Sequence, residues 1–263
     1  MSTTPCHGFR FPRAIIQHAI WLYLRFTLSL REVEELLAER GIVVTYETVR
    51  TWVARFGPLI ARRLRRRRGP SSGVWHLDEM FVKIAGRQMY LWRAVDSEGE
   101  VLDMLVQGRR DKAAALRLMP KLLKSQGMAP TELVTDRLRA YGAAVRELGL
   151  GAEHIQGKRK NNRMEGSHVP IRLRERKMLG FRSPASAQRF LATQAAVANT
   201  FSTCSHLISA ATHRQFQADA FAAWREGCGA CSLIVDGQCL TPALRHQVDS
   251  TERVMPKAAL LTA

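Results

Sequence analysis

Three acidic residues, Asp78, Asp136 and Glu165, have side chains that could hold a divalent metal if the fold brings them together. Asp78 lies in the apolar run 74–84 and Asp136 closes the apolar run 132–136, so both are expected at or near β-strands. Glu165 follows in a polar segment that is typical of the start of a helix. Three carboxylates brought together repel one another unless a divalent cation lies between them. Ligation by oxygen alone favours Mg²⁺ or Mn²⁺.

Each acid taken alone has a simpler interpretation. An Asp at the end of a strand more often caps a helix or forms a turn, and a single Glu on a helix more often faces solvent. Other acids in the same region compete for the role, namely Glu79, Asp96, Asp103 and Asp111. The metal-site hypothesis therefore depends on a fold that brings the three together.

The elements predicted around these acids form a mixed α/β domain. Strands are predicted at residues 74–84, 88–95, 100–107, 132–136 and 153–156. The first three are separated by short turn segments, which predicts an antiparallel meander. A helix that Asp111 caps and a helix at 138–148 connect the later strands, so these need crossovers and parallel neighbours. Active sites in such sheets lie at the ends of strands, near the point where the strand order reverses. This would place Asp78 beside Asp136.

The N-terminal region predicts three helices between residues 13 and 60. Ser29 with Glu32 forms a capping box for the second helix, and Thr45 is expected to cap a third, which Gly57-Pro58 would end. A compact three-helix unit with a turn before its last helix is typical of a helix-turn-helix, whose last helix enters the major groove. The outer faces of that helix offer DNA contacts at Tyr46, Arg50 and Arg55.

The overall charge indicates a polyanionic partner. Lys and Arg outnumber Asp and Glu by 40 to 23, giving a net charge of +17 and a pI near 10.6. Double-stranded DNA is the leading candidate, and a basic RNA-binding protein is the weaker alternative. A basic run before a Gly/Pro/Ser segment is predicted to grip phosphates. Its members are Arg62, Arg63, Arg65, Arg66, Arg67 and Arg68.

Targeting and disulfide signals are weak. The N-terminus has no apolar core of a signal peptide, and no apolar run is long enough to span a membrane. The cysteine count is odd, at 5, which favours a reducing cytoplasm over a disulfide framework. Cys228 and Cys231 have the spacing of half a zinc site, but no second pair follows, so an incidental pair is favoured.

A family resemblance joins these observations. The ordered blocks that carry it are residues 76–83, 89–96, 109–114, 135–141, 160–168, 172–178 and 180–183. Over roughly residues 8–225 the chain resembles the DDE transposases of the insertion-sequence-six family. The resemblance implies an RNase H-like fold in which Asp78, Asp136 and Glu165 bind two Mg²⁺ ions, with Mn²⁺ as a substitute. Two departures are the short spacing between Asp136 and Glu165 and Gly166 where Asn is expected.

The same resemblance implies that water first attacks the element end and that the freed 3′-hydroxyl then attacks target DNA. Cationic side chains around and beyond Glu165 would line the DNA path, with Pro170 opening a new helical segment. These DNA contacts are Arg163, His168, Arg172, Arg174, Arg176 and Lys177. Further helices are predicted at 185–211 and 215–225.

The sequence thus predicts a bacterial, cytoplasmic transposase that acts on terminal repeats and target DNA as a homodimer or larger oligomer. The predicted domains are a helix-turn-helix region at 1–60, an Arg-rich linker at 61–73, a catalytic domain at 74–212, and a C-terminal helix and tail at 213–263. The alternatives are a nuclease of the same fold without strand transfer and a DNA-binding regulator that lacks cleavage activity.

Overall fold

The structure, a computed structural model, describes residues 10–157, 161–202 and 209–229. These residues form eight helices and five strands, with three helices at each end of the series. The helices are α1 (Arg13–Arg25), α2 (Leu30–Ala38), α3 (Tyr46–Arg67), α4 (Lys112–Gln126), α5 (Arg139–Glu147), α6 (Asn162–Lys177), α7 (Pro184–Phe201) and α8 (Ala210–Gly227). The strands are β1 (Val74–Ile84), β2 (Arg87–Asp96), β3 (Val101–Gln107), β4 (Glu132–Thr135) and β5 (Glu153–Gln156).

The five strands form one mixed sheet in the order β3-β2-β1-β4-β5. The β1–β2 and β2–β3 pairs are antiparallel, whereas β1–β4 and β4–β5 are parallel. This is the predicted meander followed by parallel strands, and it is the strand order of an RNase H-like sheet. The predicted fold class is therefore confirmed.

The two faces of the sheet bury separate apolar sets. Trp75, Leu77 and Trp92 pack against α4 and α5, while Met80 and Leu91 pack against α6 and α7. Neighbouring strand residues point to opposite faces, so this alternation follows from the pleat of β1 and β2. Asp78 therefore lies on the α6 side of the sheet, and Glu79 on the α5 side.

The predicted helix starts in the N-terminal region are confirmed. Ser29 and Glu32 form the capping box of α2, and the Thr45 side chain accepts from the backbone N–H of Thr48 at the start of α3. The first three helices share their core with α7 and α8, since Trp52 belongs to the same buried cluster as Trp224. The residues up to Gly229 form one compact unit.

Three predicted helix boundaries were wrong. Helix α3 does not end at Gly57-Pro58 but continues to Arg67, so residues 61–67 of the predicted linker are helical. Pro170 lies inside α6 instead of opening a new segment, and α7 ends at Phe201, where Ser202 is extended. An internal proline costs about 3 kcal/mol. In α3 the burial of apolar side chains beyond the proline outweighs that cost; these are Ile60, Ala61 and Leu64.

Gly57 explains how α3 passes across α7. A Cβ atom at this position would lie 3.2 Å from the Thr193 methyl group of α7, a distance tighter than ordinary packing. The glycine therefore allows α3 to approach α7 closely, and the same dipeptide that predicted a helix end serves as a packing surface.

Cys231, Cys239 and the predicted tail lie outside the described residues.

None of the described helices combines the length and the apolar character that crossing a membrane requires.

Candidate metal centre

The parallel pairing of β1 and β4 brings Asp78 and Asp136 side by side. Leu77 pairs with Thr135 at the end of β4, and the two aspartates are the next residues of the two segments. Because β4 ends there while β1 continues to Ile84, β1 has no strand beside it on that side between Asp78 and the bridge of Ile84 to Phe181, among the described residues. This is the juxtaposition that the order of elements predicted.

A third carboxylate in this cluster belongs to Glu79. Oxygen atoms of Asp78, Glu79 and Asp136 all lie within 4.8 Å of one another. Asp78 and Glu79 leave β1 from opposite faces, yet both reach Asp136 because the neighbouring strand has ended. Sequence reasoning named Glu79 only as a competitor, although its position next to Asp78 on a strand with a short neighbour was the signal that pointed to it.

Both carboxylate oxygens of Glu79 are engaged within the protein. Arg110 donates from Nε to Oε1 at 2.5 Å and also pairs through Nη2, and the Tyr141 hydroxyl donates to Oε2 at 2.9 Å. The Glu79 side chain is 2% exposed. Arg110 also reaches Oδ2 of Asp136 at 3.3 Å, so one guanidinium joins two of the three acids.

Glu165 lies in the first turn of α6, is exposed and is not part of the cluster among the described residues. The helix is nevertheless tied to β1 beside Asp78, because Asn161 Nδ2 donates to the Leu77 carbonyl at 2.9 Å. Asn161 is 3% exposed and its Oδ1 has no hydrogen-bond partner in the described chain. Residues four apart share a helix face, so Glu165 lies one turn beyond Asn161, the residue that attaches α6 to β1.

Burial and neighbouring negative charge both act on the carboxylates of the cluster. Burial, the neighbouring Glu79 carboxylate and Asp136 together raise the pKa of Asp78 to about 7, against the opposing hydrogen bond from the Glu79 N–H. Burial and then the charge of Asp136 raise the pKa of Glu79. Three ionised carboxylates this close repel one another, and the single positive charge of Arg110 does not balance them. Arg110 is the one cation in contact with them among the described residues.

The donor set fits a hard divalent cation. Asp78 and Asp136 offer carboxylate oxygens at a partly buried strand end, and the raised pKa of Asp78 reflects a position where added positive charge would be favourable. Oxygen donors without nitrogen or sulfur match Mg²⁺ and Mn²⁺ better than Zn²⁺. Asp136 keeps one oxygen on the backbone N–H of Leu138 at 2.8 Å, which orients its carboxylate.

The raised pKa of Asp78 predicts a pH-dependent stability in chelator. The folded-state pKa, about 7, lies above the ordinary value of 3.8, so this group stabilises the fold below about pH 4 and loses that contribution as the pH rises through 7. We expect Asp78→Asn to raise the free energy of unfolding at pH 8 by about 1–3 kcal/mol, discounted for partial exposure, and to leave it unchanged near pH 4.

Thermal unfolding in EDTA at both pH values measures this effect, with Asp219→Asn on the exposed face of α8 as the matched control. A variant that is less stable than the wild type at pH 8 would contradict the prediction. Added Mg²⁺ or Mn²⁺ is expected to stabilise the wild type at pH 8 and to have little effect on Asp78→Asn.

Most arginine side chains of the basic run form hydrogen bonds or ion pairs within the protein. Arg63 donates to the Gly227 carbonyl and Arg65 to the Ala192 carbonyl. Arg67 pairs with Glu226, and Arg68 pairs with Asp96 and Glu100. Arg62 and Arg66 are exposed and make no hydrogen bond or ion pair with any described residue. The run therefore holds α3 against α7, α8 and β3 more than its sequence indicated.

The predicted DNA-contacting residues of the N-terminal helices remain accessible. Arg50 is exposed and pairs with Glu47 at 2.5 Å on the same face of α3, and Arg55 is exposed. Tyr46 is half-buried beneath Arg31, whose guanidinium lies 4.9 Å from the ring centroid. Their role in binding DNA stays a prediction.

The predicted contacts on α6 divide into three groups. Arg172, Arg176 and Lys177 are exposed, with Lys177 paired to Glu32 at 2.5 Å. Arg174 is fully buried and His168 is half-buried. Burial, followed by the charges of nearby arginines, lowers the pKa of His168 to about 4, so it is neutral at pH 7. Arg174 has no accessible surface for the predicted DNA contact in this fold, and the role of His168 in binding DNA stays a prediction. The side chain of Arg163 lies outside the described residues.

Comparisons with known proteins found a matching family model and similar transposase sequences. A family model described as a DDE domain matches residues 72–204, which contain all three predicted acids. The chain is 32% identical over 171 residues to the transposase for insertion sequence-like element IS431mec of Staphylococcus aureus, covering 63% of this chain and 76% of that one. It is 31% identical over 171 residues to the transposase for insertion sequence element IS257 in transposon Tn4003 of the same species, with the same coverage.

Similar solved structures include a simian T-cell lymphotropic virus intasome in complex with the PP2A regulatory subunit B56 gamma. That likeness has a TM-score of 0.43 at 16% identity and covers 66% of this chain and 62% of that one. The HTLV-2 integrase catalytic core domain in complex with magnesium gives a TM-score of 0.37 at 15% identity and covers 51% of this chain and 88% of that one. The strand order described above carries the fold assignment.

Proposed function

The chain belongs to the insertion-sequence-six family of DDE transposases, and from this membership we propose that Asp78, Asp136 and Glu165 are the residues through which it cleaves and joins DNA. As a transposase it is a DNA-binding enzyme that depends on a divalent metal. The proposal concerns which acids hold that metal, that the metal is Mg²⁺ with Mn²⁺ as a substitute, and that two ions are bound.

The observation that favours Glu165 over Glu79 as the third ligand is the engagement of Glu79. Its two oxygens already accept from Arg110 and from Tyr141, and its side chain is nearly inaccessible. Glu165 is exposed on a helix that Asn161 ties to β1 next to Asp78. Glu79 is therefore proposed as a positioning residue. It holds the Arg110 guanidinium next to Asp136, where a metal cation would replace that guanidinium.

The proposed chemistry is an in-line displacement at a phosphodiester. When bound, two divalent ions supply Lewis-acid activation of the attacking oxygen and charge stabilisation of the leaving oxygen. Asp78 would contact both ions, and Asp136 and Glu165 one each. In the first step water attacks phosphorus at the element end and the bond to the 3′-oxygen breaks, releasing a 3′-hydroxyl. In the second step that hydroxyl attacks a target phosphodiester and a target 3′-oxygen leaves.

DNA is proposed to reach this centre along accessible cations. These are Arg50 and Arg55 on α3, with Tyr46 beside them, Arg62 and Arg66 at the end of α3, and Arg172, Arg176 and Lys177 on α6. The last helix of the α1–α3 unit would read the terminal repeats in the major groove. Joining requires that the two ends of the DNA element be held together. We therefore propose that the protein acts as a homodimer or larger oligomer on DNA in the bacterial cytoplasm.

A pair of isosteric variants tests the choice of the third ligand. Glu165→Gln is expected to reduce Mg²⁺-dependent nicking of a labelled element-end duplex by at least about 10²–10³-fold, the cost of losing one preorganised electrostatic group at a reacting oxygen. Glu79→Gln is expected to cost only about 10–100-fold, as for a residue that orients a ligand. The assay measures initial nicking rates across a series of Mg²⁺ and Mn²⁺ concentrations.

The reverse order of effects would identify Glu79 as the ligand and remove Glu165 from the site. Binding of the duplex by each variant in EDTA serves as the control that separates lost chemistry from lost DNA affinity. Joining of the nicked strand to an unlabelled plasmid distinguishes a transposase from a nuclease of the same fold. Nothing in the described residues favours a regulator without cleavage activity, because both aspartates are present and lie close together at the strand end.

A further inference from the structure

A cavity of about 360 Å³ lies between α1, β2, α6, α7 and α8. Its size is within the range of about 300–1,000 Å³ that small-molecule pockets occupy. The polar side chains that line it include Arg25, Thr27, Arg93, Gln194, His213 and Gln217, with Ser202 at its edge of α7. No described lining residue is acidic, so the cavity combines cationic and neutral polar groups over an apolar floor.

Arg93 is a buried cation without a counter-charge. It lies on β2 between Leu91 and Val95 on the α6 side of the sheet and is 8% exposed. No described residue forms a hydrogen bond or an ion pair with it, and its Nε is fully buried without a partner. An ionised group buried in this way costs several kcal/mol unless it is paired.

The neighbourhood of Arg93 does not compensate its charge. Burial lowers the pKa of Arg93 to about 10, so the guanidinium stays charged at neutral pH. The nearby His168 is neutral at that pH, and its Nε2 is also buried without a partner among the described residues. At the cavity wall Arg25 adds a second cation, held over the Phe26 and Phe201 rings at 5.9 Å.

We propose that this cavity is an anion site that binds a phosphate group, with Arg93 as the principal contact and Arg25 as the second cation. A planar guanidinium presents paired N–H donors that match the oxygens of a phosphate, and Gln194, Gln217 and His213 add further hydrogen-bonding groups. The phosphate belongs either to a DNA strand or to a free nucleotide or inorganic phosphate. The proposal does not depend on which acids hold the metal.

Arg93 is also the cross-strand partner of Asp78 in the β1–β2 pair. The two side chains leave the same face of the sheet on adjacent strands, so a phosphate in the cavity would lie one strand away from the proposed metal centre. Of the two possible occupants, a DNA phosphate would affect the reaction more directly than a free phosphate. A bound DNA phosphate would fix the path of a DNA strand beside the acids.

Thermal unfolding with inorganic phosphate tests the site, with chloride at matched ionic strength as the reference. The wild type is expected to gain roughly 5–10 °C in Tm at a phosphate concentration of 100 times Kd. Arg93→Met is expected to lose that gain and, without phosphate, to have a Tm equal to or above the wild-type value, because an unpaired buried charge has been removed. A phosphate response that persists in Arg93→Met would overturn the proposal.

A second variant keeps the test decisive if Arg93→Met does not fold. Gln194→Glu leaves Arg93 in place but introduces a carboxylate into the same lining, which should pair with the cation and abolish the phosphate response. An unchanged response in Gln194→Glu would count against the site, as would a wild-type Tm that phosphate and chloride change equally.

Salt-dependent DNA binding separates the two sources. If a DNA phosphate occupies the cavity, Arg93→Met should reduce the slope of log K against log salt by about 0.9, the loss of one phosphate contact. An unchanged slope together with a lost response to inorganic phosphate assigns the site to a free phosphate or nucleotide. Loss of neither overturns the proposal.

Discussion

Asp78→Asn is expected to reduce metal-dependent nicking of an element-end duplex by about three orders of magnitude or more. Loss of a single preorganised electrostatic group at a reacting oxygen already costs about 10²–10³ in rate, and Asp78 is proposed to contact both ions. An Asn side chain has nearly the same shape and retains the oxygen that accepts from the Glu79 N–H. The loss would therefore reflect the missing charge and not a local rearrangement.

The measurement is the single-turnover nicking rate at saturating enzyme, with Asp219→Asn as the matched control and with Mn²⁺ in a parallel series. Because Asp78→Asn is expected to be more stable than the wild type in chelator at pH 8, unfolding cannot account for inactivity. DNA binding in EDTA should be retained. A variant that keeps more than a tenth of wild-type nicking would remove Asp78 from the metal centre.

Arg174→Met is expected to lower the free energy of unfolding by about 3–5 kcal/mol, equivalent to a fall in Tm of roughly 6–20 °C. Arg174 is 0% exposed and donates to three backbone carbonyls, one in the last turn of α1 and two in the connection from α1 to α2. The distances are 2.8 Å to Leu28 and 2.5 Å to Tyr23, and Phe26 is the third acceptor. Its removal leaves carbonyl oxygens without donors at a buried position, a cost of about 1–3 kcal/mol each.

The guanidinium also lies over the Tyr23 and Phe190 rings, with its centre 5.0 and 5.7 Å from their centroids. Arg174 thus connects α6 to α1 and α7, and a point charge cannot replace its planar set of donors. Arg174→Lys should therefore recover less than half of the lost stability. Arg176→Met, an exposed neighbour on α6, is the control and should stay within about 0.5 kcal/mol of the wild type. A similarly small effect of Arg174→Met would contradict this assignment.

Arg174 and the basic run show how charge alone misled the sequence interpretation. Net charge and clustering correctly indicated a DNA-binding protein, but they did not reveal what each guanidinium faces. Arg68 illustrates the point, since it pairs with Asp96 and Glu100 across the end of the β2–β3 hairpin. Arg bridges elements as effectively as it binds phosphate, because its five donors serve backbone carbonyls and carboxylates alike.

Local signals in the sequence predicted most of the secondary structure. The capping box of Ser29 and Glu32, the Asp111 cap of α4 and the apolar runs of the meander all depend on neighbouring residues, so they could be interpreted without the fold. The failures occurred where burial overrode a local rule, as at Gly57-Pro58 and at Pro170. In α3 apolar side chains beyond the proline are buried, and in α6 Ile171 and Arg174 beyond the proline are buried.

The candidate site divides in the same way. The sequence by itself determined the family, the fold class and the pairing of Asp78 with Asp136, since ordered motifs and strand order contain that information. The tertiary structure alone decided that Glu79 joins these acids, that Arg110 and Tyr141 hold it, and that Arg93 lies buried without a counter-charge. The physical reason is that partnership and desolvation depend on residues distant in the chain, whose approach is set by packing and not by sequence spacing.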